Sequence, residues 1–412
     1  MTDNDIQNNK PVEFEAKFTA GASVATIEES VRACLTDAEQ TLRQWHGKSE
    51  DFIIGKRDMH FHEDARRGQI ALDASTRHGR RMFLPTQHAR RQISRMLNSK
   101  ALLAKGLNRS LRSVDAEKFL CRTITLPNGI ASLRGFLSPS FSTGMDNLGL
   151  CTAVKKALNR GFISRNFVSA LQCRLDSGGD ILVDIHFDKH TLTKLKQLEG
   201  SKEEYTRGIR LCASEIGRYE YITVEVLLTR MICLNGEIFG EREEKILISY
   251  LDAKALGESR VQEGLNELIR SALNDGVASI ANVRSDFEKR VETLLDEADR
   301  ESLEFEDEND IRAALDFIIR RAKLGSVGVT VEDVLPAYHE EAEATPGISS
   351  AWLLLNALTR YATHHLIVNN LHSGQVVQRE VYERLLGPRR IPWRDIIISV
   401  REQRRIRRGV RV

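Results

Sequence analysis

Two apolar runs separated by a tight-turn sequence constrain the fold of this chain most strongly. The runs lie within Phe119–Leu137 (FLCRTITLPNGIASLRGFL), and Pro127-Asn128-Gly129 stands between them. Asn and Gly tolerate the positive φ angles of tight hairpin turns, so this segment predicts two antiparallel strands. The stretch Arg207–Gly236 predicts a second hairpin, because its apolar alternation breaks at ASEIG and resumes as a β-branched run.

In other segments of the chain the apolar residues have helical spacing instead of alternation. Ala25–Trp45 has apolar residues on one helical face, and Thr86 after Pro85 predicts the N-cap of another helix. Glu241–Leu324 reads as mostly helical, with a break near Gly276. The pattern predicts an α+β fold, with an antiparallel sheet and flanking helices in the N-terminal half and a mainly helical C-terminal half. Three segments are expected: an α+β core over 1–240, a helical acidic insertion or subdomain over 241–345, and a core-completing helix with an Arg-rich tail over 346–412.

Composition excludes several protein classes. The chain has 412 residues, 41% of them hydrophobic, which is enough for a sizeable core. No stretch approaches about 18 consecutive apolar residues, so no membrane partner is expected. The polar N-terminus lacks a signal-peptide pattern, which predicts a cytoplasmic protein. The six cysteines are scattered and are expected to be buried thiols, since neither zinc-like pairing nor a small disulfide scaffold is present.

One segment is basic and free of acidic residues. Between Arg77 and Arg112 there are ten Lys or Arg and no Asp or Glu. Such a segment attracts phosphate backbones, although a solvated face with its countercharges supplied by the fold would show the same pattern. The nucleic-acid-binding residues expected here are Arg77, Arg80, Arg81, Arg90, Arg91 and Arg95.

The tail is basic too, but it has a candidate partner within the chain. Pro388–Val412 carries nine Arg, and Asp286–Asp310 holds twelve Asp or Glu. The tail is expected either to contact nucleic acid or to pair with this acidic region, which would then shield it. The tail residues expected to bind are Arg404, Arg405, Arg407 and Arg408.

One strand could carry acid–base chemistry. Asp184, His186 and Asp188 alternate with Val183 and its apolar neighbours, so period two places them on one face of a strand. With Glu215 they could hold a divalent metal, as in a nuclease. The simpler interpretation is a polar strand face in contact with water. His60 and His62 form a second polar cluster, interpreted as a surface turn, and no metal site is predicted.

Three segments resemble the domain-of-unknown-function 932 family of phage, plasmid and prophage proteins. They are RTITLPNGIASLRGFLSPSFSTGMDN from Arg122, the GIRLCASEIG and RMICLNG blocks, and WLLLNALTRYATHH from Trp352. The chain departs from the family at Cys212-Ala213, where an Arg-Asn pair is usual, and in its acidic helical segment and tail. The resemblance implies a mobile-element setting and brings no catalytic residues.

These observations favour a non-enzymatic nucleic-acid-binding protein of phage or plasmid replication or recombination. Single-strand DNA binding or annealing would suit it, with aromatics such as Phe83 available for stacking, and a homo-oligomer is compatible with that task. No cofactor is expected. A metal-dependent nuclease and a protein-interaction factor with an anti-defence or structural role stay open as alternatives.

Overall fold

The computed structural model describes residues 11–17, 22–64, 69–99, 103–126, 129–139, 141, 147–176, 179–191, 204–218, 222–230, 235–246, 258–301, 305–367 and 370–409. At 188–191, 204–205, 228–230, 235–246, 258–261, 268 and 279–285 the structure describes the backbone alone. None of the described helices is long and apolar enough to span a membrane.

The strands and helices occupy the following ranges. The strands are β1 (Val12–Lys17), β2 (Ser49–Gly55), β3 (Met59–Asp64), β4 (Gln69–Thr76), β5 (Gly79–Pro85), β6 (Lys118–Thr125), β7 (Ala131–Leu137), β8 (Ala170–Leu175), β9 (Asp180–Thr191), β10 (Glu204–Ser214), β11 (Ile222–Arg230) and β12 (Asn235–Ile246). The helices are α1 (Val24–His46), α2 (Gln87–Met96), α3 (Ala104–Ser113), α4 (Asn147–Ala157), α5 (Arg160–Asn166), α6 (Glu258–Glu301), α7 (Glu308–Arg321), α8 (Val331–Ala344), α9 (Ser350–Tyr361), α10 (Leu371–Leu385) and α11 (Trp393–Arg407).

One sheet has the strand connectivity of a small barrel, and we call it the barrel. Its strand order is β2-β6-β7-β5-β4-β3, with β5 and β7 parallel and the other pairs antiparallel. Because only the short turn Lys56–Asp58 separates β2 from β3, the two edge strands are halves of one bent strand. Rings of Phe52 and Phe83 meet across the interior with centroids 5.7 Å apart. The first and last strands of the sheet are therefore consecutive in the chain and connected by this turn, as in a small barrel.

Two helices complete the barrel core. The interior residues of the strands form one apolar cluster, to which α2 contributes Ala89 and Ile93 and α3 contributes Leu107 and Leu111. Both helices lie in the connection between β5 and β6. Their apolar faces are buried, so their polar faces point away from the barrel.

The other sheet is antiparallel and is covered on both faces. Its order is β1-β8-β9-β10-β11-β12. One face, with Val183 and Ile185, packs against α1, α4 and the first half of α6. On the opposite face, Leu182 and Cys212 meet Ile367 and Leu371 from the C-terminal helices.

The long helix α6 links two cores. Its first half shares the core of the antiparallel sheet, whereas Phe287 and Leu295 in its second half share a core with helices α7 to α11. The break predicted near Gly276 is wrong, because α6 continues through that residue. A Cβ at Gly276 would lie 3.0 Å from Ile209 Cδ1, so glycine serves here to bring the helix close to the sheet. The helix predicted from Glu241 is also wrong at its start, since that residue lies in β12.

The α+β class is confirmed, with strands concentrated in the N-terminal half and helices in the C-terminal half. The predicted hairpins are confirmed as the antiparallel pairs β6–β7 and β10–β11. Five cysteines are free and buried as expected, and Cys233 lies outside the described residues. The segment boundaries expected at 240 and 345 stay predictions.

Candidate nucleic-acid interface

The basic segment begins at the tip of the β4–β5 hairpin. Arg77 is exposed, and its Nε donates to His78 Nε2 at 3.0 Å. Arg80 points outward with 70% of its side chain exposed and lies 3.4 Å from Asp73 Oδ2. A pair this exposed is weak, because solvent screens it and both side chains lose rotamer freedom. Both arginines are therefore accessible to an external anion.

Arg81 instead turns toward the barrel. Its Nη1 lies 2.5 Å from Glu50 Oε2, and its guanidinium stands 5.7 Å from the centroid of the Phe52 ring. Strand alternation gives Phe83 the same orientation, and that residue is completely buried. The expectation that Phe83 is available for base stacking is therefore wrong, since the ring fills the barrel core.

Helix α2 carries the next three arginines. The Thr86 side chain caps the helix by accepting from the Ala89 amide at 3.2 Å, which confirms the predicted N-cap. Arg90 is anchored, because its Nε donates to the Pro85 carbonyl at 3.1 Å and its Nη2 to Gln69 Oε1 at 2.8 Å. Arg91 and Arg95 are exposed one turn apart on the outer face.

Helix α3 extends this pattern. Lys105, Arg109 and Arg112 are exposed, opposite the buried face of the helix. Within the described ranges none of the exposed cations of α2 and α3 forms an ion pair; the single hydrogen bond is from Arg112 Nε to the Asn108 carbonyl at 3.2 Å. We call Arg91, Arg95, Lys105, Arg109 and Arg112 the helix cations.

The tail arginines, by contrast, are paired. Arg404 Nη2 lies 2.5 Å and Arg407 Nη1 lies 3.0 Å from carboxylates at the start of α7, those of Asp310 and Asp307 respectively. Arg408 lies 3.2 Å from Glu306. The intramolecular alternative predicted from sequence is thus present in the structure, and Arg405 is the tail candidate that is exposed without an ion pair among the described residues.

Asp310 organises this contact. It is buried, and its two oxygens face Arg404 and Arg407. Burial alone would raise the pKa of Asp310, but hydrogen bonds from Arg404, from the Glu306 amide and from Arg407 lower that pKa below its usual value. The pairing holds the C-terminal helix against α7, which is a structural role.

The acid–base candidate on β9 is buried rather than solvated. Asp184 is 1% exposed and His186 is 7% exposed. The expectation that this strand face meets water is wrong, because the C-terminal helices cover it. Arg210 Nε and Nη2 donate to the two carboxylate oxygens of Asp184 at 2.6 and 2.7 Å. A carboxylate held in this bidentate way is a structural ion pair and leaves little room for a metal.

Charged residues of alternating sign lie side by side on five strands of the antiparallel sheet, in line with Asp184. Glu13 on β1, Arg174 on β8, Asp184 on β9, Arg210 on β10 and Glu225 on β11 form an alternating series. The series ends at α10, where Arg379 pairs with Glu225 and Gln378 accepts from Arg210 Nη1 at 2.5 Å. We call these five strand residues the charge row.

The environment of the charge row fixes the protonation of its groups. Burial would raise the pKa of Asp184, yet Arg210 and Arg174 lower it below its usual value. Burial lowers the pKa of His186 to about 4, so its imidazole is neutral near pH 7. The side chain of Asp188 lies outside the described residues. Among the described side chains no group of three or more His, Cys, Asp and Glu is arranged as a metal site.

Glu215 has a structural partner as well. Its Oε1 accepts from the backbone amide of Asn147 at 2.8 Å, at the start of α4, and its Oε2 lies 3.6 Å from Arg134 Nη1. The adjoining cavity measures about 20 Å³, which holds one water molecule and no larger ligand. This carboxylate therefore joins α4 and the barrel to the β10–β11 turn.

Sequence reasoning missed a pair of buried acids. Asp176 and Asp180 flank the β8–β9 turn, and Arg218 Nη1 lies 3.2 Å from one carboxylate and 2.5 Å from the other. Burial and the nearby Asp180 raise the pKa of Asp176 to about 7. The turn-like sequence between them gave no signal of burial, because the elements that cover it are distant in the chain.

Comparison with family models, with curated proteins and with solved structures finds no match to this chain.

Proposed function

We propose that this chain binds nucleic acid without catalysing a reaction on it, and that α2 and α3 provide the main contact. The observation that carries the proposal is the set of helix cations, which are exposed and without ion pairs among the described residues. Like charges one turn apart, such as Arg91 and Arg95, repel each other by a few tenths of a kcal/mol. A row of phosphates removes that repulsion and releases counterions.

The barrel topology supports the same function by analogy. Strands β3, β4 and β5 form a meander, β5 pairs in parallel with β7, and the two capping helices lie between β5 and β6. This connectivity is that of the five-stranded Greek-key barrels that bind oligonucleotides and oligosaccharides, in which the second and third strands face the ligand. Here those strands are β4 and β5, which carry Arg77 and Arg80 at their tip. Topology by itself does not fix function, so the analogy only adds to the charge argument.

Phosphate contacts without base readout imply binding that is largely independent of sequence. A replication or recombination protein of a mobile element would use such binding, in keeping with the family resemblance of the sequence. The nuclease alternative receives no support from Asp184, whose carboxylate oxygens both accept from Arg210. An interaction protein that uses the helix cations to dock an acidic partner is the remaining alternative.

The test is a mobility-shift titration of the full chain on a single strand and on a duplex of equal length. We expect binding at about 50 mM salt, weakening with a slope of log K against log salt of roughly −3 to −5 if four or five phosphates are contacted. Lack of binding to either probe at low salt would overturn the proposal. A partner that is retained after nuclease treatment would favour the protein-interaction alternative.

A further inference from the structure

Phe167 has the largest exposed fraction among the large hydrophobic residues that the structure describes. This residue directly follows α5, and 65% of its surface is exposed. Its backbone adopts the left-handed conformation, with φ 51° and ψ 54°, and its amide donates to the Ile163 carbonyl to cap the helix. Glycine or asparagine usually occupies such a position, because a side chain with a bulky Cβ substituent is strained there.

Neither the backbone nor the core requires phenylalanine at this position. The residues that anchor the segment are Phe162, Ile163 and Val168, all of which are buried. Glycine or asparagine would form the same cap with less strain, and a polar residue would suit the exposed position. Strained residues that persist in a fold are concentrated at functional sites.

The sequence segment around Phe167 carries cations and no acidic residues. From Asn147 to Leu175 the sequence contains no Asp or Glu. Lys155 is used internally, since its Nζ lies 2.9 Å from Glu39 Oε2. Lys156, Arg160 and Arg165 are exposed, and they form no ion pair within the part of the chain that the structure describes.

We propose that Phe167 is a stacking site for an unpaired base of a single-stranded nucleic acid, with Lys156, Arg160 and Arg165 as phosphate contacts. A solvent-exposed aromatic ring beside cations is the usual construction of a single-strand site, because every base offers a flat face and the backbone is anionic. Bases in a duplex are already stacked on each other, so the ring has nothing to contact there. This inference rests on the proposed function and adds strand preference to it.

The site is distinct from the helix cations. α5 buries Phe162 and Ile163 in the core of the antiparallel sheet, whereas α2 and α3 belong to the barrel core. A single-stranded nucleic acid that contacts both Phe167 and the helix cations would be held at two points. A duplex would keep only the phosphate contacts.

The decisive variant is Phe167→Asn. Asparagine tolerates the left-handed conformation, so the fold and its melting temperature should be preserved while the ring is lost. We expect the affinity for oligothymidylate to fall roughly 5- to 140-fold, the range given by the stacking of one base. The affinity for a duplex of equal length should change by less than about twofold. Ile406→Asn is the matched control, because Ile406 is 58% exposed and lies on the C-terminal helix.

A second variant keeps the aromatic face. Phe167→Trp should retain or strengthen oligothymidylate binding, and the added indole fluorescence should be quenched by the oligonucleotide but not by the duplex. Unchanged oligothymidylate affinity in Phe167→Asn, or equal losses on single strand and duplex, would overturn the stacking site. The proposed function would survive that outcome if substitution of the helix cations still abolished binding. Failure of the unsubstituted chain to bind either probe would overturn both.

Discussion

Two arginine-rich segments of this chain look alike in sequence and differ in the structure. In the tail, Arg404 and Arg407 lie 2.5 to 3.0 Å from carboxylates at the start of α7. On α2, Arg91 and Arg95 are exposed and without ion pairs among the described residues. The tail arginines hold two helices together, whereas the helix cations leave positive potential at the surface. Cation density therefore does not identify a nucleic-acid surface; unpaired cations are the better guide.

The same contrast applies to acidic residues. Asp184 looked like an exposed catalytic candidate, yet it lies in the charge row between Arg174 and Arg210. Removal of one partner from a buried pair leaves an uncompensated charge, which costs far more than loss of an exposed pair. Substitutions that leave a buried charge without its partner should thus reduce stability, whereas substitutions of the exposed helix cations should reduce binding.

The largest effect is expected from Asp184→Ala in the charge row. The free energy of unfolding should fall by about 3–5 kcal/mol, because Arg210 would be left buried without its anion. Urea denaturation followed by circular dichroism measures this loss. Asp37→Ala, which removes an exposed acid on α1, should change the free energy of unfolding by less than about 0.5 kcal/mol. A stable Asp184→Ala variant that had lost a metal-dependent cleavage activity would instead support the nuclease alternative.

The next effect is expected from Asp310→Ala at the tail contact. We expect a loss of about 1–3 kcal/mol in the free energy of unfolding. This loss is smaller than for Asp184→Ala because solvent screens the arginine partners of Asp310. The folded-state pKa of Asp310 lies below its usual value, so the stabilisation is present above the unfolded pKa near 4 and is lost as pH falls through the lower folded pKa. Thermal melts at neutral and at acidic pH measure the difference between variant and parent.

The difference in stability between Asp310→Ala and the parent should therefore shrink in strong acid. Asp395→Ala is a control at the start of α11, the helix that carries Arg404 and Arg407, and its carboxylate forms no ion pair with those arginines in the described part of the chain. Increased nucleic-acid binding by Asp310→Ala would show that the pairing shields a binding surface as well as stabilising the fold. Unchanged stability with no change in binding would contradict the structural role of the tail.

Asp176→Asn tests a buried site in which the charges are not balanced, because two acids share Arg218. The folded pKa of Asp176 is about 7, above the unfolded value of about 4. The folded state therefore holds this proton more tightly, and stability due to this group is lost as pH rises from 4 to 7. The variant should be more stable than the parent by about 1–2 kcal/mol near pH 8 and by little near pH 4.

Chemical denaturation across this pH range tests the prediction. The variant keeps the acceptor oxygen for the Asp180 amide, a 3.0 Å hydrogen bond in the structure, but its amide nitrogen replaces the oxygen that accepts from Arg218. A difference between variant and parent that does not change with pH would show that Asp176 is ionised throughout.

The smallest effect on stability is expected from Arg91→Gln combined with Arg95→Gln. The free energy of unfolding should change by less than about 0.5 kcal/mol, because both side chains are exposed. Nucleic-acid affinity at low salt should fall on both single strands and duplexes, and the salt slope should decrease by about 2. Mobility-shift titrations over a range of salt concentrations measure both quantities.

Arg32→Gln combined with Arg270→Gln is the matched control for this variant. Both arginines are exposed but pair with an acid on their own helix, at 2.9 and 3.0 Å. The control removes the same charge and should leave binding nearly unchanged. Equal losses of affinity in the two double variants would mean that net charge, rather than the helix cations, controls binding.

Local patterns were sufficient to predict much of the fold. The Asn-Gly turn predicted the β6–β7 hairpin, the spacing in Ala25–Trp45 predicted α1, and Thr86 predicted the start of α2. These signals depend on residues a few positions apart, so the sequence contains them completely. The acid-free segment from Arg77 to Arg112 was equally visible.

The tertiary structure decided which charges are paired and which strand faces are buried. Arg404 meets Asp310 across 94 positions, and Arg210 meets Gln378 across 168 positions. The alternation on β9 predicted two faces but not that helices would cover the polar one, and Phe167 gave no sign of its left-handed backbone. The sequence determined the α+β class and where its cations cluster; the fold alone determined which of those cations remain available, because ion pairing depends on contacts between segments far apart in the chain.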